Sequence, residues 1–159
     1  MKKIISILLS ALLIIASLSG LTTVCQALDT EDDTVYPGDQ ITITYSFAKD
    51  IPAGCPCYLF RTNYPFQMVK YSSFENHWVL WPMVTADDGY YYDVTASAFT
   101  AYGPEVKAGE KIVSITYEVI KETKVSDLDF SFTELQLYDN KDNNYNNDYS
   151  YLSYDVKIT

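Results

Sequence analysis

The sequence predicts an all-β protein, a jelly-roll β-sandwich of roughly eight to nine strands. Short segments in which apolar and polar residues alternate recur along the chain, and clusters of Gly, Pro, Asn and Asp separate them. Two long segments of this kind follow the same turn signal, which is Pro37-Gly38 in one and Ala108-Gly109 in the other. No segment after residue 27 has the periodicity of an amphipathic helix.

The first residues have the composition of a secretory leader. Lys2 and Lys3 precede an apolar run over residues 4–18, and the small residue Ala27 follows. The run is shorter than the roughly 20 residues that span a bilayer, so a membrane anchor is the weaker interpretation, as is lipid attachment at Cys25. We therefore predict a signal peptide at 1–27, an acidic lead-in at 28–34, a single sandwich domain at 35–159, and a secreted, extracellular product.

The charge of the chain restricts its partners. The formal net charge is −10, and it becomes more negative when Lys2 and Lys3 leave with the leader. Such a surface repels nucleic acid and anionic lipid, so we predict neither a nucleic-acid partner nor membrane association after leader removal. Neutral glycans, divalent cations and basic protein faces are compatible with it.

The strands follow one another in chain order between turn signals. In the first long strand Ile41, Ile43, Tyr45 and Phe47 share a face, and in the long strand within 106–120 the alternation repeats. The other predicted strands are 55–61, 67–71, a short or edge strand in 78–83, 90–99, 128–138 and 149–158. The polar stretch 139–148 cannot contribute to a core and is predicted to be a loop.

The same alternation predicts which side chains face outward. One face of the strand at 90–99 is polar, as is one face of the strand at 128–138, whereas the register of 55–61 is open by one residue. Tyr rings add contact area with little loss of rotamer entropy, which serves protein and sugar partners alike. The residues predicted to contact a partner are Arg61, Tyr91, Asp93, Thr95, Asp129, Ser131 and Thr133.

Cys55 and Cys57 are a candidate disulfide. Two cysteines two residues apart on an extended strand point the same way, with Cα atoms about 6.6 Å apart, near the upper limit for a bridge. A strained local disulfide, two free thiols, and a metal or redox role remain open.

An enzyme is not predicted. His77 is the only histidine, and no nucleophile motif accompanies it. Glu118 and Glu134 lie on strand faces, yet nothing pairs them across a cleft as glycoside hydrolysis requires. No cofactor is predicted.

The loop at 139–148 carries a weak calcium signal. Oxygen donors recur at alternate positions, Asp142, Asn144, Asn146 and Asp148, which suits a hard cation. The stretch has no Gly at the sixth position and Ser153 where an EF-hand needs Glu, so a solvated loop is the alternative.

Four segments of the chain share the order and spacing of a known family. They are Val35-Tyr36-Pro37-Gly38-Asp39 with Ile41-Thr42-Ile43, Cys57-Tyr58-Leu59-Phe60 with Tyr64-Pro65 and Met68, residues 111–119, and residues 128–140 ending in Glu134-Leu135-Gln136-Leu137-Tyr138-Asp139-Asn140. Together they resemble the cohesin family, the jelly-roll receptor modules of cellulosomes, which are related in fold to cellulose-binding modules. Cohesins commonly have Tyr-Asp-Pro after the second of these strands, whereas this chain has Asn63-Tyr64-Pro65.

The resemblance implies a non-catalytic binding module that recognises a dockerin-bearing extracellular protein through a flat sheet face. The alternative function is a carbohydrate-binding module that holds plant polysaccharide on exposed Tyr and Trp rings. A self-assembling surface subunit is a third hypothesis.

Overall fold

The computed structural model describes residues 34–87 and 93–159. The predicted signal peptide and most of the acidic lead-in lie outside these residues. The strands are β1 (Thr34–Val35), β2 (Gln40–Phe47), β3 (Cys57–Asn63), β4 (Val69–Asn76), β5 (Met83–Asp87), β6 (Asp93–Phe99), β7 (Lys111–Val119), β8 (Thr123–Lys124), β9 (Phe132–Tyr138) and β10 (Leu152–Ile158), with 3-10 turns at Val125–Asp127 and Tyr149–Tyr151.

Eight of these strands form two four-stranded antiparallel sheets. The first sheet has the order β10-β2-β7-β4 and the second has the order β5-β6-β3-β9, while β1 and β8 pair separately. The apolar faces of the two sheets pack against each other, because strands with one apolar face must bury that face against another layer. The predicted all-β sandwich is confirmed.

The two long strands named from the sequence lie side by side at the centre of the first sheet. Ile43 of β2 pairs with Ile115 of β7, and both side chains are buried. Gly38 and Gly109 precede them with φ angles of 101° and 88°, a conformation that favours glycine, so the predicted turns are confirmed.

Aromatic rings join the two sheets. The ring centroid of Tyr45 on β2 lies 4.9 Å from that of Phe60 on β3, and Phe47 lies 5.0 Å from Trp78. Ring pairs at these separations add to the free energy gained by burying their area. Among the described tyrosines, Tyr45, Tyr58, Tyr64 and Tyr117 are core residues.

Five strand predictions need correction in their bounds, and two of these strands begin two residues late, at Cys57 instead of residue 55 and at Val69 instead of residue 67. The residues before β9 form a 3-10 turn and a non-strand segment, although Leu128 and Phe130 are buried as the alternation predicted. Residues 77–82 connect the two sheets, and β5 begins only after Pro82, because proline cannot donate to a strand ladder. β10 begins at Leu152, because Asp148 caps a 3-10 turn over the preceding residues.

Candidate functional site

The outer face of the second sheet carries three of the seven predicted contact residues, Arg61, Asp93 and Thr95. Side chains alternate along β3, so that Tyr58, Phe60 and Thr62 are buried while Leu59 and Arg61 face outward. This resolves the register that the sequence left open. We call this surface the second-sheet face, and its described outward residues are Met83, Thr85, Asp93, Thr95, Ser97, Phe99, Cys57, Leu59, Arg61, Asn63, Glu134, Gln136 and Tyr138.

One end of the second-sheet face is charged. The Nη1 atom of Arg61 lies 3.2 Å from Oε2 of Glu134, and its Nε atom lies 3.8 Å from Oδ2 of Asp93. Thr95 lies between Thr85 and Arg61 in the ladder. Arg61, on the inner strand β3, therefore lies between two carboxylates.

Asp129 and Ser131 extend this charged end beyond the last residue of β3, Asn63. The amide of Asn63 donates to Oδ2 of Asp129 at 2.6 Å and to Oγ of Ser131 at 3.1 Å. Partial burial alone would raise the pKa of Asp129, but hydrogen bonds from Ser131 and Asn63 outweigh it and lower that pKa. The carboxylate is thus kept ionised and fixed in direction.

Two other predicted contact residues have a different status. The ladder slips between Arg61 and Thr62, so that Thr133 is the extra residue of a β-bulge and is exposed. Tyr91 lies outside the described residues.

The other end of the second-sheet face is apolar, and the sequence analysis missed it. A shallow pocket of about 400 Å³ opens beside Leu59. Around it the exposed fractions are 74% for Trp81, 68% for Met83 and 83% for Phe99. Phe99 continues the outward parity of Thr95 and Ser97, so the alternation rule itself contained the signal.

The outer face of the first sheet is chemically different. Small hydroxyls cover its centre, where Thr42 and Thr116 lie 3.1 Å apart and Thr44 and Ser114 lie 2.8 Å apart, oxygen to oxygen. These hydroxyls hydrogen-bond to one another, and no described residue of β2, β4, β7 or β10 is an exposed large apolar side chain. The two outer faces of the sandwich are therefore not equivalent.

The loop at 139–148 seals the free edge of β9. The backbone N–H of Leu137 donates to Oδ1 of Asn146 at 2.8 Å, and the N–H of Asn147 donates to the carbonyl of Leu135 at 2.9 Å. Asp139 is buried beneath the loop, with 2% of its surface exposed. It fixes the loop by accepting hydrogen bonds from both the backbone and the side chain of Asn143.

The four calcium candidates, Asp142, Asn144, Asn146 and Asp148, lie in this loop. Asn144 accepts from the N–H of Asn146, and Asp148 accepts from Ser150, while Asp142 is exposed with φ of 61°. Several of the oxygens thus serve the loop's own hydrogen bonds. Among residues 34–87 and 93–159, no group of three or more His, Cys, Asp and Glu residues is placed to hold a metal ion.

Cys55 and Cys57 are both free thiols in the structure. The premise that they share one strand is wrong, because β3 begins at Cys57. Cys55 is buried ahead of it, its Sγ donates to the carbonyl of Cys57, and burial raises its pKa to about 12. Gly103 packs directly on Cys55, since a Cβ there would lie 1.8 Å from the Cys55 carbonyl oxygen.

His77 follows β4 at the rim of the first sheet. Its Nε2 lies 2.7 Å from Oγ of Ser114, which in turn contacts Thr44. The contact continues the hydroxyl chain of the first sheet and fixes the imidazole.

The chain matches no protein-family model and no curated protein. Within the described residues, none of the helical segments has the length and apolarity to cross a bilayer. Inferences about function therefore rest on the residues and the geometry above.

Proposed function

We propose that this protein is a secreted, non-catalytic binding module that docks a partner protein on the second-sheet face. The observation that carries the proposal is the joint placement of Arg61, Asp93 and Thr95 on one sheet face, with Asp129 bound to Asn63 at its charged end. A protein interface typically combines such hydrogen-bonding groups with a central apolar patch. Leu59 and its exposed neighbours supply that patch beside the charged end.

The contrast between the two outer faces supports the choice of face. Exposed apolar area that adjoins polar groups marks interaction sites more often than scattered apolar residues do. Phe99 and Met83 provide such area on the second sheet, whereas the first sheet offers hydroxyls that already pair with one another. The resemblance to cohesins favours a dockerin-bearing extracellular protein as the partner.

Polysaccharide binding is the second candidate, and one observation favours it. Trp81, Phe99 and Tyr138 all line the 400 Å³ pocket, where Gln136 can hydrogen-bond a sugar hydroxyl. Aromatic rings stack on sugar faces, so a neutral glycan is compatible with this end of the sheet.

A pair of matched substitutions tests the protein-docking proposal. Thr95→Arg places a long side chain in the middle of the second-sheet face, and Thr116→Arg does the same on the first sheet. Both positions are half-buried threonines on inner strands. We expect Thr95→Arg to weaken the binding of a dockerin-bearing protein at least tenfold in calorimetry, while Thr116→Arg leaves it unchanged.

Affinity gels containing cellulose or xylan separate the two candidates. Retarded migration that Thr95→Arg or Phe99→Ala abolishes, together with no binding of the dockerin-bearing protein, would reject protein docking in favour of glycan binding. Gel filtration over a range of concentrations tests the third hypothesis, because a self-assembling subunit would elute earlier as its concentration rises.

A further inference from the structure

We infer, on the basis of the proposed function, the chemistry of the partner that docks on the second-sheet face. It is a polypeptide segment that carries a large apolar or aromatic residue and, on the same side, a Lys or Arg. The apolar residue enters the pocket beside Leu59, and the cation meets the carboxylates around Arg61.

The apolar end selects an uncharged anchor. Among the described residues that line the pocket beside Leu59, none is charged. Trp81, Met83 and Phe99 leave most of their surface in water there, so an apolar side chain that covers them removes apolar area from water and favours binding. A buried Lys or Glu would lose its hydration without gaining a partner, and the pocket therefore rejects both.

The charged end selects a cation. The sequences of β3, β5, β6 and β9 contain one basic residue, Arg61. Asp93 and Glu134 already exceed its charge, and Asp129 adds a further carboxylate whose pKa is lowered. The excess is negative, so an incoming Lys or Arg gains Coulomb energy and an incoming Asp or Glu loses it.

The ladder fixes the spacing between the two groups. On β3, Leu59 lies two residues from Arg61. Cys57, which pairs with Phe99, lies four residues from Arg61. These steps correspond to about 7 and 14 Å on an extended chain. In an extended partner the apolar residue and the cation are therefore about two or four residues apart, because only even spacings place both on one side.

Selection from a displayed library of random 12-residue peptides tests this inference with a defined probe. The purified protein is the bait at low salt, and the Leu59→Glu variant removes peptides that bind elsewhere. We expect the enriched peptides to carry an aromatic or large aliphatic residue with Lys or Arg at the even spacing. Replacing that cation by Glu in the synthetic peptide should weaken binding at least tenfold.

Charge removal on the protein provides a matched control. The double variant Asp93→Asn with Glu134→Gln should bind the selected peptide about five- to tenfold more weakly, with a smaller salt dependence. Asp155→Asn with Glu118→Gln removes the same charges from the outer face of the first sheet and should have no such effect. Circular dichroism and thermal unfolding check that each variant folds.

The outcomes separate this inference from the proposed function. Enriched peptides that are acidic or lack the spacing, yet lose binding in Leu59→Glu, overturn the partner chemistry and leave protein docking standing. If no peptide is enriched, the inference is also wrong. If only cellulose or xylan binds this face, both the inference and the protein-docking proposal are wrong.

Discussion

At the scale of single residues, two buried tyrosines are expected to respond oppositely to loss of the hydroxyl. In the part of the chain that the structure describes, the buried hydroxyl of Tyr58 has no hydrogen-bond partner, whereas that of Tyr64 accepts from the backbone N–H of Tyr71 at 2.7 Å. Removing an unpaired buried polar group relieves a desolvation cost. We expect Tyr58→Phe to stabilise the fold by up to about 1 kcal/mol and Tyr64→Phe to destabilise it by about 1 kcal/mol.

Urea denaturation of both variants provides the measurement, with the unsubstituted protein as reference. Each substitution deletes one oxygen from a residue that is at most 6% exposed, so differences in packing volume cancel between them. Equal destabilisation by the two variants would contradict the assignment of the Tyr58 hydroxyl as unpaired.

The two free thiols should differ in their reaction with a thiol reagent. Cys57 is half-buried on the second-sheet face, whereas Cys55 is fully buried with a pKa of about 12. The thiolate is the reactive form, so Cys57 should label first and Cys55 only after unfolding. Peptide mapping of the labelled sites distinguishes them. If neither labels in denaturant without a reductant, the two are bridged and the free-thiol state is wrong.

Strand alternation explains why so many residue positions could be predicted. Period-two patterning alone placed Thr95 and Asp93 outward and Val113 and Ile115 inward, because a pleated strand has only two faces. Strand alternation could not predict the burial of Asp139, because this residue lies in a loop after β9. Its burial depends on donors supplied by Asn143 and Tyr145, which lie further along a loop whose backbone path the sequence does not specify.

At the scale of elements, the side chain of Asn146 acts as an added edge for β9. It satisfies the buried N–H of Leu137 where a neighbouring strand would otherwise do so. Asn146→Ala should destabilise the protein by about 1–2 kcal/mol, because a buried donor is left unpaired. Lys141→Ala in the same loop is the control, since that side chain is exposed.

Amide hydrogen exchange locates the effect of Asn146→Ala. The Leu137 amide should lose protection more than amides on β7, which lies in the other sheet. Uniform loss of protection across both sheets would show that the loop supports the whole fold and not one strand edge.

Strand bounds were harder to predict than strand existence. Proline, bulges and 3-10 turns decide where pairing begins, and each depends on a partner strand that is distant in sequence. β4 begins at Val69 because the chain turns through residues 65–68 just before it, where the sequence had suggested a strand from residue 67. At the apolar end of the candidate site, alternation could have placed Phe99, but Trp81 was out of its reach because that residue lies in the connection between the two sheets.

At the scale of the whole molecule, charge sets the pH dependence of stability. The formal net charge is −10 at pH 7 and the isoelectric point is about 4.3, so acidification toward that value relieves repulsion in the compact state. Further acidification should lower stability, because three carboxylates have a pKa below the ordinary value of 3.8. They are Asp129, Asp139 and Asp148. Hydrogen bonds to the ionised carboxylates outweigh burial at Asp129 and Asp139, and those from Ser150 dominate at Asp148.

The free energy of unfolding should therefore pass through a maximum under mildly acidic conditions. A carboxylate whose pKa is lowered by folding stabilises the native state above its unfolded pKa, and that contribution is lost as the pH falls through the folded pKa. We expect stability to rise modestly from pH 8 to about pH 5 and to fall below about pH 4. Urea denaturation at each pH measures both parts of this curve, the rise between pH 8 and about pH 5 (the upper limb) and the fall below about pH 4 (the lower limb).

Salt and one substitution distinguish the causes of the two limbs. Added NaCl at about 0.5 M should flatten the upper limb, because it screens repulsion between exposed charges, and should leave most of the lower limb. Asp139→Asn should lower stability at pH 7 and reduce the loss below pH 4, since its amide no longer gains a proton there. A lower limb unchanged by Asp139→Asn would mean that this buried carboxylate does not govern acid unfolding.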